Sequence, residues 1–162
     1  MRVIDILLPN IANNQIKGSS CPFYLLCLIA PFSLLRSLIH LFYPDGGANS
    51  IAGINLTNGQ ENEVIFTFAL WGSSQLILAI IQLLVLARYR SLIPLIYLLL
   101  IIEIALRIFI GHIKPIYFSH MPPGMIANWI LFPLVSFMFI LSMRSPMKLK
   151  RMQDEQENNR YE

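Results

Sequence analysis

Apolar residues fill four long blocks of this chain, and short polar stretches separate the blocks. A transmembrane helix needs about 20 mostly apolar residues. Four windows reach that length: residues 22–43, 64–86, 92–110 and 125–143. The pattern predicts four transmembrane helices, with residues 22–143 forming one membrane domain. Because only residues 87–91 separate the second and third windows, we expect those two spans to pack as an antiparallel helical hairpin.

The segments outside the four windows are more polar. Residues 1–21 mix apolar side chains with charged and amide ones, and Pro9 interrupts any long helix, which predicts a short piece lying in the membrane interface. Residues 144–162 are first basic and then acidic, a composition typical of a solvated tail. The connection at residues 44–63 is long and rich in Gly and Asn, so we expect a loop that acts as a lid.

The composition excludes a water-soluble globule. Hydrophobic residues make up 56% of the 162 residues and charged residues only 13%, whereas about 25% of a soluble domain is charged. The net charge of +3 does not indicate nucleic-acid binding, because the basic residues flank apolar spans instead of forming a stripe. Cys21 and Cys27 lie six residues apart, too far for a CxxC pair, and we expect free thiols.

The basic residues predict the orientation in the membrane. Nine of the twelve lysines and arginines fall before the first span, between the second and third spans, or after the fourth. Lys114 alone falls in the third connection, and the remaining two lie within spans. Positively charged residues accumulate on the cytoplasmic side. Together with four crossings, this asymmetry predicts that both termini lie inside.

Glu103 and Arg107 stand out because they lie inside the third span. A charge at the centre of a membrane helix costs about 2.5–3.5 kcal/mol on insertion scales. Residues four apart share a helix face, and a glutamate that precedes its cation is the favourable order. We therefore expect the two side chains to neutralise each other, to serve a ligand, or both.

Polar residues of the other spans fall at a similar depth. Counting about 1.5 Å of rise per residue places seven of them in the outer half of the bundle. This predicted polar layer consists of Arg36, His40, Trp71, Gln75, Glu103, Arg107 and Asn128.

Two interpretations of this layer are open. In the structural interpretation, Arg36 and Arg107 extend to the lipid headgroups, Glu103 pairs with Arg107, and residues such as Gln75 and Gln82 hold helices together. In the functional interpretation, the same side chains surround a ligand. Two arginines, a histidine and one acid leave a positive site, which suits an anionic headgroup, a carboxylate or a quinone carbonyl.

The sequence carries no motif of a known catalytic or metal site. His112 and His120 are not spaced as zinc ligands on one helix, so no metal is predicted. One enzymatic alternative is an isomerase-like protein that acts on a lipid-soluble substrate, with Glu103 as the acid–base group and His40 as its partner. In that alternative, Trp71 or Trp129 would form the aromatic wall.

A resemblance to a known family rests on spans two to four, roughly half of the chain. The residues that carry it are 68–72 (FALWG) at the start of the second span, Arg88 and Arg90 in the connection, and Arg107 and Gly111 at the end of the third span. With them the chain resembles small DoxX-like bacterial membrane proteins and related four-helix proteins. DoxX is a membrane subunit of a thiosulfate:quinone oxidoreductase, so the resemblance implies a four-helix bundle and an accessory or quinone-proximal role.

These observations together predict an all-α integral membrane bundle of four transmembrane helices. We expect a non-catalytic protein that binds a small amphipathic ligand, a lipid or a quinone, or that serves as an accessory subunit of a membrane complex. Its expected partners are membrane lipid and other subunits or a second copy of the chain, and not nucleic acid.

Overall fold

The protein is all-helical across the residues that its computed structural model describes, which are 3–16, 18–56, 59, 61–116 and 118–144. A short helix comes first and is followed by four long ones. Their bounds are α1 Val3–Leu7, α2 Cys21–Phe42, α3 Glu61–Arg88, α4 Ile93–Ile113 and α5 Pro123–Met143, with a single 3-10 turn at Arg90–Leu92 before α4.

The four long helices confirm the predicted spans. Each is long and apolar enough to cross a membrane, and each overlaps its predicted window almost completely. The largest difference is in α3, which has 28 residues. It begins three residues before the predicted window and ends two after it. The chain is therefore a multi-pass integral membrane protein, while the side on which its termini lie stays a prediction.

Prolines mark where three of the long helices begin. Pro22 and Pro94 are the second residues of α2 and α4, and Pro123 is the first residue of α5. Proline suits the first turn of a helix, because the N–H that it lacks would have no partner there and its fixed φ is already helical.

The packing of the helices differs from the predicted hairpin. α2 packs mainly on α3, and α4 packs mainly on α5, whereas α3 and α4 touch at few places along their length. A close approach of backbones decides this pairing. A Cβ added at Gly72 of α3 would lie only 2.7 Å from the Cβ of His40 on α2. Small residues allow such close contact between membrane helices, so the pairing follows the glycine and not the short connection.

The hydrophobic core lies at one end of the bundle. We call this the short-loop end, because the turn between α3 and α4 is there. The opposite end, where α2 and α4 finish and α3 and α5 begin, is the long-loop end. The core contains Leu26, Val85, Ile93, Ile96, Tyr97, Leu100, Ile104, Val135 and Met138. The hydroxyl of Tyr97 donates a hydrogen bond of 2.7 Å to the carbonyl of Pro22, which ties α4 to α2.

The N-terminal segment packs on the short-loop end. The backbone N–H of Asn13 donates to the Ser91 hydroxyl at 2.9 Å, and the N–H of Ser91 donates to the Asn13 carbonyl at 3.1 Å. The location of the N-terminal segment in the membrane interface stays a prediction. Of the predicted tail at 144–162, residues 145–162 lie outside the described part of the chain.

Candidate functional site

A cavity of about 540 Å³ lies at the long-loop end of the bundle. All four long helices contribute to its wall, and so do the described parts of the connections that follow α2 and α4. Its volume falls within the range of about 300–1,000 Å³ that is typical of small-molecule sites. Among the described residues, the hydrophobic core lies at the short-loop end, and this space lies between the helices at the other end.

Three helices each direct a pair of polar residues toward this region. Arg36 and His40 are four residues apart on α2, Trp71 and Gln75 on α3, and Glu103 and Arg107 on α4. A spacing of four places both members of each pair on one helix face. The structure brings all three faces together, because contacts between the pairs link the three helices.

A chain of polar contacts connects these helices through Gln75. The Arg36 guanidinium donates a hydrogen bond to Oε1 of Gln75. The Gln75 amide nitrogen in turn donates to Oε1 of Glu103 at 2.7 Å. Gln75 is 5% exposed, so its amide meets the requirement that buried polar groups be hydrogen-bonded.

Glu103 is shared by two arginines. Its Oε1 lies 3.9 Å from an Nη2 nitrogen of Arg107 and 4.0 Å from the Nη2 nitrogen of Arg36. The predicted pair of Glu103 and Arg107 therefore forms, but the carboxylate has a second cation from another helix. Two guanidinium groups and one carboxylate leave a net charge of +1 in this cluster.

The two arginines retain unused hydrogen-bond donors. Both distances to Glu103 exceed ordinary hydrogen-bond lengths of about 2.7–3.2 Å. The Nε atoms of Arg36 and Arg107 are shielded from solvent and have no partner among the described residues. Their side chains are 27% and 19% exposed, and both line the cavity. Neither arginine side chain is therefore fully exposed, and the extension of both to the lipid headgroups stays a prediction.

Aromatic rings form the neighbouring wall. The His40 ring lies 4.7 Å from the Trp71 ring and 5.6 Å from the Phe68 ring. The Arg36 guanidinium carbon lies 5.7 Å from the Trp71 centroid, within the range of a cation–π contact. His40 Nδ1 lies 2.7 Å from the Gly46 carbonyl. Because a carbonyl can only accept, this contact assigns the proton to Nδ1.

The loop that follows α2 is held together by Asp45. Its carboxylate accepts hydrogen bonds from the backbone N–H groups of Gly47, Asn49 and Ser50, and from the Ser50 hydroxyl. Burial alone would raise the pKa of Asp45, but these hydrogen bonds outweigh it and hold the pKa below its ordinary value. Gly46 and Gly47 supply the positive φ angles that this turn needs.

The same loop meets the connection between α4 and α5 beside the cavity. The backbone N–H and the hydroxyl of Ser119 both donate to the Gly53 carbonyl at 2.9 Å. The His120 ring packs beside Gly53, where an added Cβ would approach it to 2.6 Å. Ile51 and Ile54 of the loop line the cavity. The loop therefore forms part of the cavity wall, and its action as a lid stays a prediction.

The structure gathers the seven predicted residues in one region but divides them into two groups. Five line the cavity: Arg36, His40, Trp71, Arg107 and Asn128. Gln75 and Glu103 do not line it. Gln75 contacts Arg36 and Glu103, and Glu103 also contacts both arginines. Their assignment to a binding site stays a prediction.

Sequence reasoning missed several residues of the wall. Phe68 precedes Trp71 by three positions, and that spacing alone would have placed both rings on one face. His112 and Lys114, at the end of α4, also line the cavity. Trp129 lines it too, and it is one of the two residues that the isomerase-like alternative names for an aromatic wall. For His112 and Lys114 no sequence signal existed, because their positions depend on where the connection after α4 crosses the bundle.

Other predicted sites have simpler outcomes. Both cysteines are free, as predicted, and the Cys21 thiol lies 3.8 Å from the Met138 sulfur. Among the residues that the structure describes, no group of three or more His, Cys, Asp or Glu side chains is placed to hold a metal ion.

Comparison with known proteins adds no relative. No protein-family model, curated protein or solved structure matches this chain.

Proposed function

We propose that this membrane protein binds a small amphipathic ligand, a lipid or a quinone, in the cavity at the long-loop end, and that it is not itself a catalyst. One observation carries the proposal: a large cavity with a mostly apolar wall is lined by a few polar side chains, and Arg36 and Arg107, which share Glu103, are two of them. Ligand sites typically combine apolar walls with a few polar groups that fix orientation.

The contacts of Glu103 favour binding over the isomerase-like alternative. A general acid–base group must come within hydrogen-bond reach of the substrate. Glu103 does not line the cavity, and Arg36, Arg107 and Gln75 surround its Oε1. His40 uses its Nδ1 proton for the Gly46 carbonyl. These contacts support a structural role for Glu103 next to the arginines and for His40 in holding the loop that follows α2.

The resemblance to DoxX-like proteins supports a related role, as an accessory subunit close to a quinone or lipid site. The two roles are compatible, since an accessory subunit can carry a bound ligand. Native mass spectrometry after mild detergent extraction examines both. We expect a bound lipid or quinone, a partner chain, or both. A bare monomer under conditions that retain bound lipid would contradict the proposal.

Gly111→Leu provides a matched test of the cavity. Gly111 lines the cavity, and a Cβ there would meet nothing within 4 Å. A leucine side chain can therefore occupy the space without moving the backbone. We expect this variant to fold with an unchanged melting temperature and to lose the co-purifying ligand. A ligand retained at the same occupancy would place it elsewhere on the protein.

A further inference from the structure

The charge around the cavity is one-sided. Arg36, Arg107 and Lys114 line it, while no aspartate or glutamate does so among the described residues. Two acids contact residues of this wall: Glu103 is shared by both arginines, and the carboxylate of Asp45 accepts a hydrogen bond from the N–H of Gly47. Three cations against these two acids leave one positive charge in excess. The polar region that faces the cavity therefore has an excess of positive charge.

The two arginines also have few hydrogen-bond partners for their N–H donors. Within the described part of the chain, Arg107 has an ion pair at 3.9 Å as its one polar side-chain contact, and Arg36 donates to Gln75 alone. A guanidinium group carries five N–H donors and binds planar carboxylate and phosphate groups through two parallel hydrogen bonds. The available donors thus match an oxyanion.

In a membrane, the excess positive charge carries a free-energy cost. An uncompensated charge within a membrane span is costly, and such charges usually pair or mark a functional site. A neutral quinone would offer only carbonyl acceptors and would leave the excess charge in place. An anionic headgroup would supply both the missing charge and the acceptors.

We propose that the ligand is an acidic amphiphile, whose carboxylate or phosphate is bound by Arg36 and Arg107 and whose apolar chain lies along the cavity wall. This inference rests on the proposed function and names the ligand class for the same cavity. Ile39, Ile108 and Phe118 belong to the apolar wall, and Trp71 and Trp129 place two fluorescent reporters at the site.

The test compares probes that differ only in charge. The purified protein in an uncharged detergent is titrated with palmitate and with hexadecanol, its neutral counterpart of equal chain length. Phosphatidylglycerol and phosphatidylcholine with identical acyl chains form a second pair. Tryptophan fluorescence and native mass spectrometry report binding. We expect the acidic member of at least one pair to bind ten-fold or more tightly than its neutral or zwitterionic counterpart.

Two substitutions should change this preference in opposite directions. Arg107→Gln leaves the pair of Arg36 and Glu103, which is neutral overall, so the preference for the acidic probe should fall about ten-fold. Glu103→Gln raises the net charge of the cluster, so the preference should grow. Arg88→Gln removes an exposed arginine at the end of α3, distant from the cavity, and should leave the preference unchanged.

The outcomes separate this inference from the proposed function. A preference for palmitate alone supports a free carboxylate, and a preference for phosphatidylglycerol alone supports a phospholipid headgroup. Equal binding of charged and uncharged probes overturns the acidic ligand while the amphipathic site stands. If none of the four probes binds and no ligand co-purifies, both the inference and the proposed function fail.

Discussion

Replacing Glu103 by glutamine should destabilise the protein far more than replacing Arg107 by glutamine. Each ion pair of Glu103 spans about 4 Å, and an attraction at that distance is worth about 4 kcal/mol at an effective dielectric constant of 20. Glu103→Gln removes both attractions and leaves two guanidinium groups without a counter-ion. Arg107→Gln removes one attraction, relieves the repulsion between the arginines, and leaves a neutral pair.

The expected losses of stability follow from the partial burial of Arg36, Glu103 and Arg107. Breaking a buried ion pair by removing one partner costs about 3–5 kcal/mol. Because the three side chains are 19–27% exposed, we expect the lower end of this range, about 3 kcal/mol, for Glu103→Gln. For Arg107→Gln we expect less than about 1 kcal/mol. At about 2–4 °C per kcal/mol for a chain of this size, the melting temperature should fall by about 6–12 °C and less than about 4 °C, respectively.

Thermal melting in detergent, followed by tryptophan fluorescence, measures these shifts. Glutamine at position 103 can still accept the hydrogen bond from Gln75, so the variant isolates the loss of charge. Glu63→Gln and Arg88→Gln change exposed residues of α3 and serve as matched controls. The double variant of Glu103 and Arg107 retains the lone charge of Arg36, and it should melt between Glu103→Gln and the parent.

Two results would refute this reasoning. If Arg107→Gln lowers the melting temperature as much as Glu103→Gln does, the carboxylate is not shared as the structure places it. If Glu103→Gln melts like the parent, the cluster is solvated well enough that its charges need no pairing. The proposed preference of the cavity for an anionic ligand would then lose its electrostatic basis.

Three further predictions concern the packing, the loop and the topology. Gly72→Ala should lower stability by about 1–3 kcal/mol through overpacking against α2, whereas Gly111→Ala, with open space around its Cβ, should be neutral or stabilising in the same melting assay. Asp45→Ala should accelerate hydrogen exchange in its loop. The pKa of Asp45 is lower in the folded protein than its ordinary value. The stabilisation that its carboxylate gives the folded loop is therefore complete above the ordinary carboxyl pKa, and it should be lost as the pH falls through the pKa of the folded protein. Reporter fusions after Ser91 should report the inside and fusions within residues 46–59 the outside; the reverse would contradict the predicted orientation.

The sequence determined the number and approximate bounds of the four long helices. Apolar length alone fixes a membrane span, because a backbone in lipid must satisfy its own hydrogen bonds and a helix does so within one segment. Spacing along a helix also determined that Glu103 and Arg107 share a face, and the structure places their side chains in an ion pair.

Tertiary structure decided which helices touch. The short connection predicted close packing of α3 on α4, but Gly72 allows α2 to approach α3 more closely. That pairing brings Arg36 to Glu103 through Gln75, a contact that no spacing within one helix encodes. The cavity is likewise a property of the assembled bundle, since all four long helices contribute to its wall. The spacing of residues predicts which face of a single helix is polar. Which faces of two helices meet depends on how their side chains pack where the helices cross.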